Sequence, residues 1–257
     1  MTTDVRYDVR DGIANVTFDR PQARNAMTFE MYEELYEIAL RVNGDATVRA
    51  VILTGAQGAF VAGTDISQFK DFTTEDQATQ YEEKMDRILG ALEAVRVPTI
   101  AAIGGATTGG GLAIAATCDL RVASAESTFG MPIARTLGNC LSLANLVRIA
   151  SLIGVARTKE LIFTARLMTS EEALRVGLVN EVVAAADLPT RALELAQTVS
   201  RHAPLTLWAT KEGLRRVRER LLPDEGRDLV LLCYTSADFR EGVRAFMEKR
   251  RPEWRGR

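Results

Sequence analysis

The chain has 257 residues, 47% of them hydrophobic, enough to bury one large core. A formal net charge of -2 gives no electrostatic basis for holding nucleic acid or an anionic membrane surface. Cys118, Cys140 and Cys233 lie far apart, with neither metal-ligand spacing nor a disulfide framework, which fits a reducing cytoplasm. The opening MTTDVRYDVRDG has no apolar signal core, and no apolar run reaches the length of a membrane span. A Ser-His or Cys-His mechanism would have to use the one histidine, His202; at a helix boundary such a residue is more often a cap or a surface group.

Val5 to Val9 and Ile13 to Phe18 alternate apolar and polar residues around Asp11-Gly12, which predicts a hairpin. A loop from Asp19 to Ala26 follows. Thr28 then caps a helix to about Val42, with Met31, Leu35, Ile38 and Val42 at helical spacing. Arg49 to Thr54 reads as a strand buried on both faces, and Gly55 to Ile66 as a Gly-bearing loop. Thr74 begins an amphipathic helix carrying Tyr81, Met85, Ile88, Leu89 and Leu92. Pro98 introduces a strand, Thr99 to Ile103. Further on, Leu120 to Phe129 and Leu178 to Val182 read as strands, and Leu141 to Leu152, Ala156 to Phe163 and Ser170 to Val176 as helices. From Leu188 the pattern becomes helical throughout: Leu188 to Val199, Leu205 to Leu221, Gly226 to Tyr234 and Asp238 to Lys249. The alternation argues an α/β fold with largely parallel pairing, in one domain with a helical extension that packs on the core or on a neighbouring subunit.

Between Ile103 and Asp119 the sequence IGGATTGGGLAIAATCD reads as the end of a strand, a Gly-rich turn and a small apolar helix. Gly105 to Gly110 has P-loop spacing but is followed by Gly111 rather than Lys; GxGxxG is not met, and no GxSxG elbow occurs. A nucleotide site is therefore the weaker reading. The helix start carries unpaired donors suited to an anion or a developing oxyanion, though the glycines would equally serve tight helix packing. Gly63-Thr64-Asp65 and Gly109-Gly110-Gly111 each follow a strand and precede a helix, and in successive units of a repeating fold such loops lie side by side. Two converging N–H groups would make an oxyanion hole, in which losing one donor costs about 3 kcal/mol of transition-state stabilisation.

RPQARNAM (Arg20 to Met27), AFVAGTDI (Ala59 to Ile66), GGATTGGGLAIAATCD (Gly104 to Asp119), FGMP (Phe129 to Pro132), VGLVNEVV (Val176 to Val183) and FMEKRRPEW (Phe246 to Trp254) together resemble the crotonase, or enoyl-CoA hydratase/isomerase, superfamily. The resemblance runs in register along nearly the whole chain. It implies a spiral of repeated ββα units over residues 1–195, a C-terminal helical trimerisation region over 196–257, and an acyl-CoA thioester as partner, in a homotrimer or a dimer of trimers. Carried over by position, it implies that Thr64 and Gly110 supply the oxyanion-hole N–H groups. Arg24, Ala26, Ala62, Asp65 and Ile66 would line the CoA site, and Phe246 and Lys249 would reach the CoA of a neighbouring subunit. Asp65 serving only as a helix cap, and Lys249 only as a solvated surface residue, are the alternatives. No metal is implied, and no cofactor beyond the coenzyme A of the substrate.

Family hydratases carry one glutamate three residues after the central Gly of this loop and another directly after FGxP; here those places hold Ala113 and Ile133. Neither can activate a water, and general acid–base groups contribute about 10²- to 10⁴-fold each. Three readings follow. A hydratase or isomerase would use another group, such as Asn139, Cys140, Arg135 or a carboxylate of the 67–76 loop. A decarboxylase of a malonyl-type CoA ester would need no base, with Arg135 orienting the substrate carboxylate. An acyl-CoA-binding subunit would do no chemistry. Cys140 as a small buried hydrophobe and Arg135 as a surface or interface residue remain open.

Overall fold

The computed structural model describes residues 4–220 and 226–256. In chain order the first half holds β1 (Val5–Arg10), β2 (Ile13–Phe18), α1 (Phe29–Gly44), β3 (Ala50–Gly55), α2 (Glu75–Glu93), β4 (Thr99–Ile103), β5 (Ala106–Thr108) and α3 (Gly110–Thr117). The second half holds β6 (Leu120–Ser124), β7 (Thr128–Gly130), α4 (Ile133–Thr136), α5 (Leu143–Ile153), α6 (Val155–Thr164), β8 (Met168–Thr169), α7 (Ser170–Arg175) and β9 (Glu181–Val183). Four helices close the described chain: α8 (Leu188–Ser200), α9 (Pro204–Glu219), α10 (Arg227–Tyr234) and α11 (Ala237–Met247). The end expected for the ninth helix at Leu221 lies outside the described residues.

The hairpin forms as β1 and β2, and Asp11 and Gly12 both take positive φ at its turn, as a tight two-residue connection requires. A six-stranded sheet follows in the order β1-β2-β3-β4-β6-β9, parallel from β2 onward. Ile52 faces Ile100, and Leu53 faces Ala101, in register. Side chains alternate across a strand, so Leu53 and Ala101 join the main core under α1 to α3. Ile52, Ile100 and Val122 face the other way, where Leu188, Ala192 and Ala196 of α8 cover them. That is why β3 and β4 read as continuous apolar runs. A smaller sheet, β5-β7-β8, stands beside the large one. Two successive units run from the large sheet to the small one and on into a helix, β4-β5-α3 and β6-β7-α4.

Three expectations are corrected. Leu120 to Phe129 is two strands in different sheets. The Ser127 N–H donates to the Ser124 carbonyl (3.0 Å) and the Ser127 hydroxyl to the Ile103 carbonyl (2.9 Å), folding the polar Ser124–Ser127 segment into a turn. The Gly-rich stretch is more than a turn, because Ala106–Thr108 pairs with Thr128–Gly130 as β5. The last short strand begins at Glu181 rather than Leu178, since the Leu178 and Val179 N–H groups both donate to the Ala173 carbonyl and close α7. The boundary expected at 195/196 falls within α8, Leu188–Ser200.

Two of the motifs are structural clamps. Asn25, fully buried with φ of 57°, accepts from the Arg20 N–H and donates to the carbonyls of Ala56 (3.1 Å) and Ala59 (2.7 Å). Buried Arg121 donates to the carbonyls of Ala115, Cys118 and Leu178, satisfying the C-terminal end of α3, where a cation also meets the helix dipole. Among the described residues no helix is long and apolar enough to cross a membrane.

Candidate active site

The segment before Thr64 runs alongside the start of α3. Thr108 donates from its N–H to the Val61 carbonyl (3.3 Å) and from its hydroxyl to the Ala62 carbonyl (2.7 Å). Gly109, with φ of 53°, turns the chain from β5 into α3. The approach at the next residue is close: a Cβ on Gly110 would stand 2.1 Å from the Tyr32 hydroxyl oxygen and 2.7 Å from Thr64 Oγ1. Gly110 is the first residue of α3, so its N–H has no intrahelical acceptor. Thr64 bridges Met27 in the parallel sense: the Met27 N–H donates to the Gly63 carbonyl (2.8 Å) and the Asp65 N–H to the Met27 carbonyl (2.9 Å). That pattern turns the Thr64 N–H to the opposite side. Thr64 and Gly110 lie on the wall of one cavity of about 180 Å³.

Much of the rest of that wall is apolar: Ala113, Met131, Ile133, Leu137, Met85 and Leu89. Its polar side chains include three phenols, Tyr32, Tyr81 and Tyr234, and a single carboxylate, Glu82. Tyr32 shares a hydrogen bond with Thr64 Oγ1 (2.9 Å), and its burial pushes the phenol up to about 12. Burial likewise holds Tyr81 and Tyr234 well above the ordinary tyrosine value, so all three are neutral O–H groups near neutral pH. Tyr234 donates to Glu82 Oε1 at 2.5 Å, and Asn139 Nδ2 donates to the Tyr234 oxygen at 3.1 Å. Burial raises Glu82 to about 7; Asp86 one turn along adds repulsion, while the Tyr234 hydroxyl and the Ser142 N–H pull it back down. Rings of Phe69, Tyr81, Tyr234 and Phe239 pack behind this wall, Phe69 edge-on to Tyr81 at 4.9 Å and Tyr81 tilted against Tyr234 at 6.0 Å.

Of the residues singled out in the sequence, Thr64, Gly110, Ala62, Ile66, Asn139 and Cys140 share this cavity wall, together with Ala113 and Ile133. Arg24, Ala26, Asp65, Arg135, Phe246 and Lys249 do not. Asp65 accepts from the Ser67 N–H and hydroxyl and forms an ion pair with Arg20 at 2.8 Å, contacts that hold its carboxyl below the usual range. Arg135 on α4 is exposed, as are Phe246 and Lys249 at the end of α11. His202 is exposed at the end of α8, where its N–H donates to the Val199 carbonyl. The Cys140 thiol donates to the Leu229 carbonyl at 3.5 Å, and the neighbouring Cys233 thiol, burial and Glu82 push it up.

Sequence reasoning missed Tyr32, Tyr81, Glu82 and Tyr234 as site residues. One signal was present. Ala78, Tyr81, Met85, Leu89 and Leu92 mark the apolar stripe of α2, and Glu82 falls inside it, whereas its neighbour Glu83 is exposed.

The enoyl-CoA hydratase/isomerase family matches residues 8–257. A short-chain-enoyl-CoA hydratase of Clostridium acetobutylicum is 35% identical over 246 residues, covering 94% of this chain and 93% of its own. A crotonyl-CoA hydratase of Syntrophomonas wolfei is 31% identical over 253 residues, with 96% of each covered. A solved methylmalonyl-CoA decarboxylase, in complex with 2-nitronate-propionyl-CoA, superposes over the whole of both chains with a TM-score of 0.91 at 28% identity. The motifs, the paired sheets and these relatives agree: the chain belongs to the enoyl-CoA hydratase/isomerase family of the crotonase superfamily.

Proposed function

We propose that this protein is an enzyme that binds an acyl-CoA thioester with its carbonyl oxygen between the Thr64 and Gly110 N–H groups and carries it through an enolate. The observation that carries this is that Gly110, with its N–H at a helix start, and Thr64, with its N–H turned away from its bridge, share the wall of one largely apolar cavity. Donors fixed in such a place stabilise charge as it develops on the oxygen and cost no reorganisation. The overall reaction is an isomerisation or hydration of an enoyl-CoA. The reaction uses no cofactor other than the coenzyme A of the substrate. Ala113 and Ile133, both on the cavity wall, rule the usual pair of water-activating glutamates out of this proposal.

A second reading is decarboxylation of a malonyl-type CoA ester, which generates the same enolate by releasing carbon dioxide. The apolar character of Ala113 and Ile133 favours it, as does the likeness to methylmalonyl-CoA decarboxylase. Assays of crotonyl-CoA hydration, 3-enoyl-CoA isomerisation and methylmalonyl-CoA decarboxylation separate the two readings. Tight acyl-CoA binding with no turnover in any of them would leave a binding subunit and sink the catalytic proposal. The protein is further proposed to be cytoplasmic, with free thiols at Cys118, Cys140 and Cys233, and to assemble as a trimer or dimer of trimers. Exposed Leu205, Leu214, Val217, Leu232 and Phe246 on α9 to α11 fit that assembly. Sedimentation equilibrium tests it, and a monomer would overturn it.

A further inference from the structure

Two backbone N–H groups account for the thioester oxygen, but a reaction through an enolate also moves a proton at carbon. We propose that Glu82 moves that proton and that Tyr234, itself oriented by Asn139, positions it. This proposal rests on the acyl-CoA reading above.

Glu82 is placed for proton transfer by the fold. Helix α2 presents Tyr81, Glu82, Met85 and Leu89 to the cavity at helical spacing, on the same wall system as Thr64, Gly110 and Ala113. Its charge is felt by the Tyr32 phenol, whose oxygen stands against Gly110. The direction of the hydrogen-bond chain is fixed, because the Asn139 amide N–H can only donate; the phenol proton of Tyr234 therefore points at Glu82. A carboxylate has about four acceptor positions, so the donors from Tyr234 and Ser142 leave capacity for a proton. Asn139 Oδ1 is buried on the same wall with no partner, an acceptor free for the substrate or a water. The phenols on this wall hold their protons too tightly to act as the base, and Glu82 is the one carboxylate on it.

The step balances simply. The Glu82 carboxylate takes a proton from the carbon beside the thioester, the C–H pair passes into the enolate, and negative charge settles on the oxygen held by Thr64 and Gly110. Return of that proton to the same carbon is exchange; its return two carbons further along an enoyl chain is isomerisation. In decarboxylation the broken C–C bond supplies the pair, and protonated Glu82 gives its proton to the carbon and recovers one from water.

The titrating surroundings of Glu82 are Tyr81 and Asp86 on its own helix, Tyr32 on α1, Tyr234 on α10, and the neighbouring Cys140 and Cys233 thiols. Arg148 and Arg218 act on Asp86. Deuterium incorporation next to the thioester of butyryl-CoA, read by mass spectrometry, tests the proposal alongside butyryl-CoA binding by calorimetry. Wild type binds and exchanges. Glu82→Gln, which keeps an acceptor for Tyr234 and removes a buried charge, binds within about threefold, and exchange falls about 10²-fold or more. Unchanged exchange in Glu82→Gln, or a wild type that binds without exchange, overturns the proposal. A wild type that binds no acyl-CoA overturns the underlying reading instead. The wild-type exchange rate rises with pH to a plateau above about 7. Tyr234→Phe removes a donor that holds the carboxyl down and so moves this limb to higher pH, while Cys233→Ala leaves it in place. An unmoved limb in Tyr234→Phe defeats the positioning role, and a moved limb in Cys233→Ala assigns the titration to the thiols and defeats Glu82.

Discussion

The two sides of the cavity are made of different material. Around Thr64 and Gly110 the groups proposed to act are backbone, set by a strand pairing and a helix start, and the side chains nearby mostly define how close the chain can come. Around Glu82 the working groups are side chains, aligned by hydrogen bonds from a distant helix and a loop. The first kind of site tolerates many sequences but no added volume. The second tolerates volume but is lost with one atom, so chemistry can change on that side while thioester binding persists on the other.

The sharpest way to break this contrast is Gly110→Ala. Its methyl would meet the Tyr32 hydroxyl at 2.1 Å, so the N–H is displaced and enolate formation falls about 10²- to 10³-fold. Wild-type exchange kinetics in this variant would show that the backbone side has slack. The next effect is thermodynamic. The folded chain lifts Glu82 from 4.5 to about 7, so it holds that proton more tightly than the unfolded chain does. Stability from this source is full below about pH 4.5 and is lost as pH rises through about 7. Urea unfolding at pH 5 and pH 8 should show Glu82→Gln gaining on wild type at the higher pH, by on the order of 3 kcal/mol; a gap that does not change with pH would contradict the burial. A smaller effect sharpens the contact itself. Tyr32→Phe, combined with Gly110→Ala, should recover about tenfold of the lost rate by making room for the methyl, and a double variant no better than Gly110→Ala would place the damage at Thr64. Least of all, Arg135→Ala should change stability by less than about 0.5 kcal/mol and exchange by less than about twofold, because its side chain is exposed and off the cavity wall. A larger loss would bring the Arg135 side chain into the site.

The same contrast explains what the sequence makes legible. Strands buried on both faces, the capped helices and the glycines at 109 to 111 are local signals, and they carried the main sheet and the backbone side of the cavity. Strand β5 escaped because three residues, Ala106 to Thr108, are too few to show a period. Glu82 and Tyr234 escaped because the hydrogen bond that joins them spans 152 residues, and the one from Asn139, itself named in the sequence, to Tyr234 spans 95; no spacing rule reaches that far. Cys140 looks isolated in sequence for the same reason, and its thiol finds its acceptor, the Leu229 carbonyl of α10, 89 residues away. Arg24 and Asp65, expected at a CoA site from the resemblance, were legible as parts of motifs, yet the structure first shows what those motifs do locally: Asn25 and the Arg20–Asp65 pair hold two loops together.

Tyr234 closes α10 and reaches back to a carboxylate 152 residues earlier. During synthesis the backbone donors can therefore form while the chain is still growing, whereas the carboxylate gains its aligning partner only after the last helices emerge and dock. A nascent chain paused before residue 226 lacks Tyr234, so in it the carboxylate proposed to carry the proton has no aligning phenol, and the proposed turnover should mature only once α10 has docked.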